Sequence, residues 1–170
     1  FEASYGKYVS KLITVIAREA PGTPSKFVRR ICAMEFTGTW CAMCPAGMTR
    51  LNYLISSSYE GIVYMMAFHV NGSPADPMVI DQSSILSNKF GLSAYPSCVV
   101  DMRGKMGLSE NYDVMRSVFN ESLDNYPAYC GVGIQSQYDG QATVTVKVKS
   151  EKDAEYRLIL YAVEDGLKYQ

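Results

Sequence analysis

Apolar positions follow two rhythms along this chain, and the change comes near residue 129. Before it, Ile31-Cys32-Ala33-Met34-Glu35-Phe36 reads as a short buried strand, and Thr37-Gly38-Thr39 as a turn. Behind the turn, Ala46, Met48, Leu51, Leu54 and Ile55 recur at helical spacing to about Ser58. Gly61 to Val70 is a nearly continuous apolar run, the pattern of a strand buried on both faces and so of a parallel β-α-β crossover. Asn71 to Pro77 reads as a loop, and 79–90 as a short helix with Ile85, Leu86 and Phe90 turned inward. Ser97 to Asp101 is the next strand, and Arg103-Gly104-Lys105 turns it into Met106-Gly107-Leu108. A helix from about Glu110 to Asn125 carries Val114, Met115, Val118, Phe119 and Leu123 as its buried stripe. Residues 27–126 therefore spell β-α-β-α-β-β-α, an α/β domain.

From Tyr129 the period drops to two. Residues 130–138, 141–149 and 155–163 read as strands, the first two joined by Asp139-Gly140, a hairpin signal. Three strands do not bury a sandwich core by themselves. Residues 129–170 are thus expected to begin a β-sandwich, immunoglobulin-like domain that continues in a longer parent or takes strands from residues 1–17. Residues 1–20 are expected to be a β hairpin or the end of a preceding β domain, with an extra edge strand on the first sheet as the alternative. Pro21, Gly22 and Pro24 mark 21–26 as a linker.

Composition narrows the picture by exclusion. The 170 residues are 48% hydrophobic and carry 16 basic and 17 acidic side chains, for a net charge of −1. That balance lacks the basic footprint of a nucleic-acid binder, and no apolar run approaches a membrane span. Phe1 stands where an initiator Met would, with no signal peptide behind it, so the chain reads as a trimmed or mature piece.

Five cysteines are too few for a disulfide-built scaffold. Cys32 and Cys98 sit in apolar strands and read as inert buried thiols, while Cys130 fits either role. Cys41 and Cys44 differ. Three positions apart at the first turn of a helix, their Cα atoms would lie roughly 5–6 Å apart, within reach of a disulfide. A helix N-terminus lowers a thiol pKa by up to roughly 1.5 units, which takes Cys41 toward about 7 and makes it a nucleophile at neutral pH. Cys44, one turn further in, fits the resolving thiol. Zinc is a competing reading, but a second Cys-x-x-Cys is missing; a plain structural pair is the other. Met34, Met65, Met66 and Met115 fall in core stripes and need no metal. His69, the single histidine, reads as a structural residue at a strand end, and no metal or other cofactor is expected.

The string Glu35-Phe36-Thr37-Gly38-Thr39-Trp40-Cys41-Ala42-Met43-Cys44-Pro45-Ala46-Gly47 resembles the active site of the thioredoxin superfamily. Within it, the string is similar to the Omp28-related outer-membrane lipoproteins, in which a thioredoxin-like domain adjoins β-sandwich domains. The resemblance implies a thioredoxin-like fold over 27–126 and thiol–disulfide exchange with protein thiols and disulfides. It also implies an extracytoplasmic setting, periplasmic or at the outer membrane, with any membrane attachment through a lipid anchor outside this chain.

Residue by residue, the resemblance implies that Glu35 is the buried carboxyl that exchanges a proton with Cys44, its raised pKa following from desolvation. The alternative is a strand-end glutamate that reaches water. Thioredoxin itself pairs that acid with a lysine, which the 61–70 strand lacks. Pro96 is implied to be a cis-proline beside the Cys-x-x-Cys, with Tyr95 offering main-chain bonds to substrate; an ordinary trans proline starting a strand is the alternative. Trp40 is implied to flank the thiol, or else is simply a partly buried aromatic. The rival to an oxidoreductase is a cell-surface binding module on a thioredoxin scaffold, which the flanking β segments favour.

Overall fold

The computed structural model describes residues 13–17, 27–109 and 111–167. Along them run β1 (Ile13–Ala17), β2 (Ile31–Thr37), α1 (Cys44–Ser58), β3 (Val63–His69), α2 (Asp81–Lys89) and β4 (Ser97–Val100). After these come β5 (Gly104–Gly107), α3 (Tyr112–Asn125), β6 (Cys130–Tyr138), β7 (Ala142–Ser150) and β8 (Ala154–Leu158). Residues 29–128 form one compact unit; a second gathers β1 with residues 129–164.

The first unit has a thioredoxin-like fold. Its sheet runs in the order β3-β2-β4-β5, with β2 parallel to β3 and antiparallel to β4. Strand alternation splits β2 between two faces. Ile31 and Ala33 pack with Val63 and Val100 under Leu51 and Leu54 of α1 and Met115 and Phe119 of α3, all nearly or fully buried. Met34 and Phe36 point the other way, where Phe36 stacks on Phe68 at 5.2 Å and meets the edge of Phe90 at the end of α2. The Asn111 side chain caps α3 by accepting the Val114 N–H, satisfying a donor the helix leaves open.

Several expectations need correction. β3 is not buried on both faces: Tyr64 and Ala67 are exposed, because β3 has β2 as its one strand neighbour among the described residues. The nine-residue α2 is also too short to cover the whole Cys32–Tyr64 side, so Cys32 is only half-buried. On α2 itself Ile85 is exposed and Leu86 and Phe90 are only partly buried, while Ser83 and Ser87 face inward. On α3 Val114 is exposed and Ser122 is buried instead, bonded to Asp101 of the β4–β5 turn and to Arg29. On α1 Ala46 is exposed and Gly47 is buried.

In the second unit β6 and β7 form the hairpin, with Tyr138 opposite Ala142 across the Asp139-Gly140 turn. β1 pairs antiparallel with β8, Ile13 opposite Leu158. The expected third strand over 155–163 is shorter: β8 ends at Leu158, opposite the first described residue of β1, and Ile159, Leu160 and Val163 are exposed. The expected hairpin over residues 1–20, apart from β1, and the linker at 21–26 lie outside the described residues.

Candidate functional site

Strand direction brings the site together. β2 and β3 run parallel, so both deliver their C-terminal ends, Thr37 and His69, to one edge of the sheet. β4 runs the other way, and Ser97 sits opposite Phe36. Its start, Tyr95-Pro96, therefore lies at the end of β2 from which the chain turns into α1.

That turn is tight. The Cys41 N–H donates to the Gly38 carbonyl at 3.0 Å, and the Cys44 N–H to the Cys41 carbonyl at 3.2 Å. α1 begins at Cys44, so Cys41 precedes the helix rather than occupying its first turn. Cys41 and Cys44 are joined as a disulfide with Cα atoms 5.4 Å apart. Cys44 is 2% exposed against 9% for Cys41, so Cys41 is the more accessible residue of the pair.

Gly47 decides how closely α1 approaches the start of β4. A Cβ there would lie 2.5 Å from Pro96 Cγ and 2.9 Å from Leu108 Cβ, so only glycine admits the buried proline ring. The Tyr95-Pro96 bond is cis. The Pro96 carbonyl accepts the Leu108 N–H at 3.0 Å, and the Tyr95 hydroxyl is 2.6 Å from Ser87 Oγ. The Tyr95 ring meets Trp40 edge to face at 5.7 Å.

Trp40 is held on several sides rather than standing free. Its indole N–H donates to the Val70 carbonyl at 3.0 Å, and its ring lies so close over Gly72 that a Cβ there would come within 2.0 Å.

Glu35 does not reach water. It is fully buried on β2, and neither carboxyl oxygen has a hydrogen-bond partner among the described residues. Burial alone pushes its pKa up to about 7. A carboxyl there is protonated in acid and shares its proton near neutrality, which suits a group that takes and returns one proton. Directly across the sheet stands Cys98, also fully buried; burial first, and then the Glu35 charge, push its thiol upward. Burial and the neighbouring Asp101 likewise raise Cys32.

Two residues that pattern reading passed over complete the picture. Asp76, in the loop after β3, is buried and accepts the Thr39 N–H at 2.7 Å. Nothing in Ser73-Pro74-Ala75-Asp76-Pro77 distinguishes it from a turn-forming aspartate. Gly47 did carry a signal, since an isolated glycine inside a helical pattern costs about 1 kcal/mol unless close packing demands it. Among the described residues no three His, Cys, Asp or Glu side chains cluster to hold a metal ion, and no helix is long and apolar enough to cross a membrane.

No family model matches the chain, and none of the curated proteins does. Among solved structures it is similar to HBP35 of Porphyromonas gingivalis, with TM-score 0.60 and 17% identity over 75% of this chain. The match covers 45% of the HBP35 chain, so this chain spans less than half of that protein. Protein AGR_C_4864 from Agrobacterium tumefaciens matches at TM-score 0.51 and 12% identity, over 79% of this chain and 80% of that one. At these identities the likeness is one of fold.

Proposed function

We propose that this chain is a thiol–disulfide oxidoreductase domain acting on protein disulfides. The observation that carries the reading is a Cys41–Cys44 disulfide leading into α1, in a fold whose neighbouring strand buries a carboxyl with no hydrogen-bond partner among the described residues and a pKa of about 7. In the reduced form the Cys41 thiolate attacks a substrate disulfide, forming a mixed disulfide and releasing one substrate thiolate. The Cys44 thiol gives its proton to ionised Glu35, and its sulfur attacks Cys41. The second substrate thiolate leaves and the Cys41–Cys44 bond forms, so two electrons have passed to the substrate. Run backwards, the same steps oxidise a dithiol. Trp40, Tyr95 and Pro96 form the rim against which an extended substrate segment lies.

The extracytoplasmic setting, attachment through a lipid anchor outside this chain, and the relation to Omp28-related lipoproteins belong to the same proposal. They are supported by the 35–47 string and by the β segments that flank the thioredoxin-like unit. Residues 129–170 are read, on the same footing, as the start of an immunoglobulin-like β-sandwich. A second reading, a cell-surface binding module, is favoured by one observation: Val132, Ile134 and Tyr138 are well exposed on one side of β6.

Turnover of insulin disulfides separates the two. Cys41→Ser is expected to abolish it, and Cys44→Ser to trap mixed disulfides with substrate. If both variants keep wild-type turnover, the binding module replaces the enzyme. The reduction potential of the pair then gives direction, about −270 mV for a reductant and about −120 mV for an oxidant.

A further inference from the structure

The loop between β3 and α2 carries a buried carboxylate that the exchange mechanism leaves unused. The Asp76 side chain is fully buried. Its Oδ2 accepts the Thr39 N–H at 2.7 Å and lies 2.8 Å from His69 Nδ1, while its Oδ1 accepts the Met78 N–H at 2.8 Å. A carboxylate only accepts, so Nδ1 is the protonated nitrogen of His69. Thr39 is two residues before Cys41, inside the turn closed by the Cys41 N–H on Gly38. Two residues of backbone span at most about 7 Å, so the amide that Asp76 holds lies within about 7 Å of the Cys41 backbone.

We propose that Asp76 is a positioning residue of the Cys41–Cys44 site, one that holds the active-site turn through the Thr39 amide and sets the reactivity of Cys41 by its fixed negative charge. The inference rests on the reading of Cys41 as the attacking thiol.

The geometry gives the charge a direction. Burial by itself would raise the Asp76 pKa, but the His69 hydrogen bond and the Thr39 and Met78 amides outweigh it and hold the group below its ordinary value. It is therefore an anion at every pH where Cys41 works. An anion beside a thiol disfavours the thiolate, in opposition to the N-terminus of α1. The site thus sits between two fields, and the weight of Asp76 falls on the side of a less acidic thiol and a more reducing disulfide. The second hold on the turn, Trp40 Nε1 on Val70 O above Gly72, comes from the beginning of the same loop. It keeps the turn in place when the charge alone is removed.

The test compares Asp76→Asn with wild type in the reduced protein. Asparagine retains an acceptor but not the charge. The rate of Cys41 alkylation by iodoacetamide, followed against pH, is expected to show an apparent thiol pKa lower by about one unit. That corresponds to alkylation about three- to tenfold faster at pH 6. Equilibration with a glutathione redox buffer is expected to show a more oxidising pair. A variant that loses thermal stability but keeps the wild-type alkylation profile and glutathione equilibrium overturns the proposal, since a merely structural aspartate moves neither. His69→Leu guards against an Asp76 variant that does not fold. It strips one donor from the carboxylate and leaves the charge less screened, so alkylation is expected to slow; an unchanged or faster rate overturns the proposal.

Insulin reduction is measured on wild type in parallel. A wild-type chain that is inactive while Asp76→Asn shifts the thiol sinks the oxidoreductase reading and spares the tuning. An active wild type with an unshifted Asp76→Asn sinks the tuning alone.

Discussion

The two units of this chain use apolar residues in opposite ways. In residues 29–128 both faces of the sheet are at least partly covered by helices, and Ala33, Met34 and Phe36 of β2 have no exposed surface. In β6 and β7 the apolar positions are just as regular, with Val132 opposite Val148 and Ile134 opposite Val146. Yet Val132 is 60% exposed, Ile134 61% and Tyr138 66%. Alternation pairs strands and sorts side chains to a face, but burial needs a second layer. Main-chain pairing holds the hairpin; layered packing holds the thioredoxin-like unit and everything at its site.

The comparison breaks most visibly at Phe119. Its ring is fully buried against Tyr59, so Phe119→Ala is expected to lower the unfolding free energy of the thioredoxin-like unit by about 3–5 kcal/mol in urea denaturation. A cost below about 1 kcal/mol would mean that this core is no tighter than the hairpin.

Next in size is Glu35, a buried group that weakens the unit it sits in. Its folded pKa of about 7 stands above the ordinary 4.5. Between those values the folded protein keeps a proton that the unfolded chain has released, so stability falls as pH rises through the window and the loss is complete above it. The difference corresponds to about 3 kcal/mol. Glu35→Leu is therefore expected to stabilise the protein by up to about 3 kcal/mol at pH 8, with much of the gain gone at pH 4.5. Glu35→Gln is expected to slow resolution, so that the mixed disulfide accumulates in pre-steady-state traces. A flat stability difference between pH 4.5 and 8 would show that Glu35 titrates normally.

Gly47→Ala sharpens the contrast at the site. The added methyl must displace the Pro96 ring or Leu108, an overpacking cost of about 1–3 kcal/mol against a helix-propensity gain of about 1. A net loss of about 1 kcal/mol is expected, together with slower insulin reduction because α1 and the start of β4 are pushed apart. Stability equal to or above wild type would show that the close approach is slack.

The smallest effect belongs to the second unit. Ile134→Ser is expected to change stability by no more than about 0.5 kcal/mol, as for other exposed positions. A loss above about 2 kcal/mol would mean that this side of β6 is covered in solution, and the contrast between the units would then be one of partners rather than of packing.

Much of the fold was legible because it is local. Helical spacing in Leu51, Leu54, Met115 and Phe119 and the apolar run of β2 are written within single elements, and they carried the order of strands and helices. The Cys-x-x-Cys spacing likewise put the two Cα atoms at roughly 5–6 Å, and the structure has them 5.4 Å apart. What needed tertiary structure was whatever depends on neighbours distant in sequence. Whether β3 lies at an edge depends on which strands flank β2, and whether Ile85 is covered depends on how α2 lies on the sheet. That Glu35 lacks a hydrogen-bond partner among the described residues, that Gly47 admits Pro96 and that Asp76 holds the Thr39 amide all follow from strand register and direction. A period says which way a side chain points along its own element. Only packing says what it meets there, because contacts across a sheet join residues whose spacing along the chain carries no trace of their meeting.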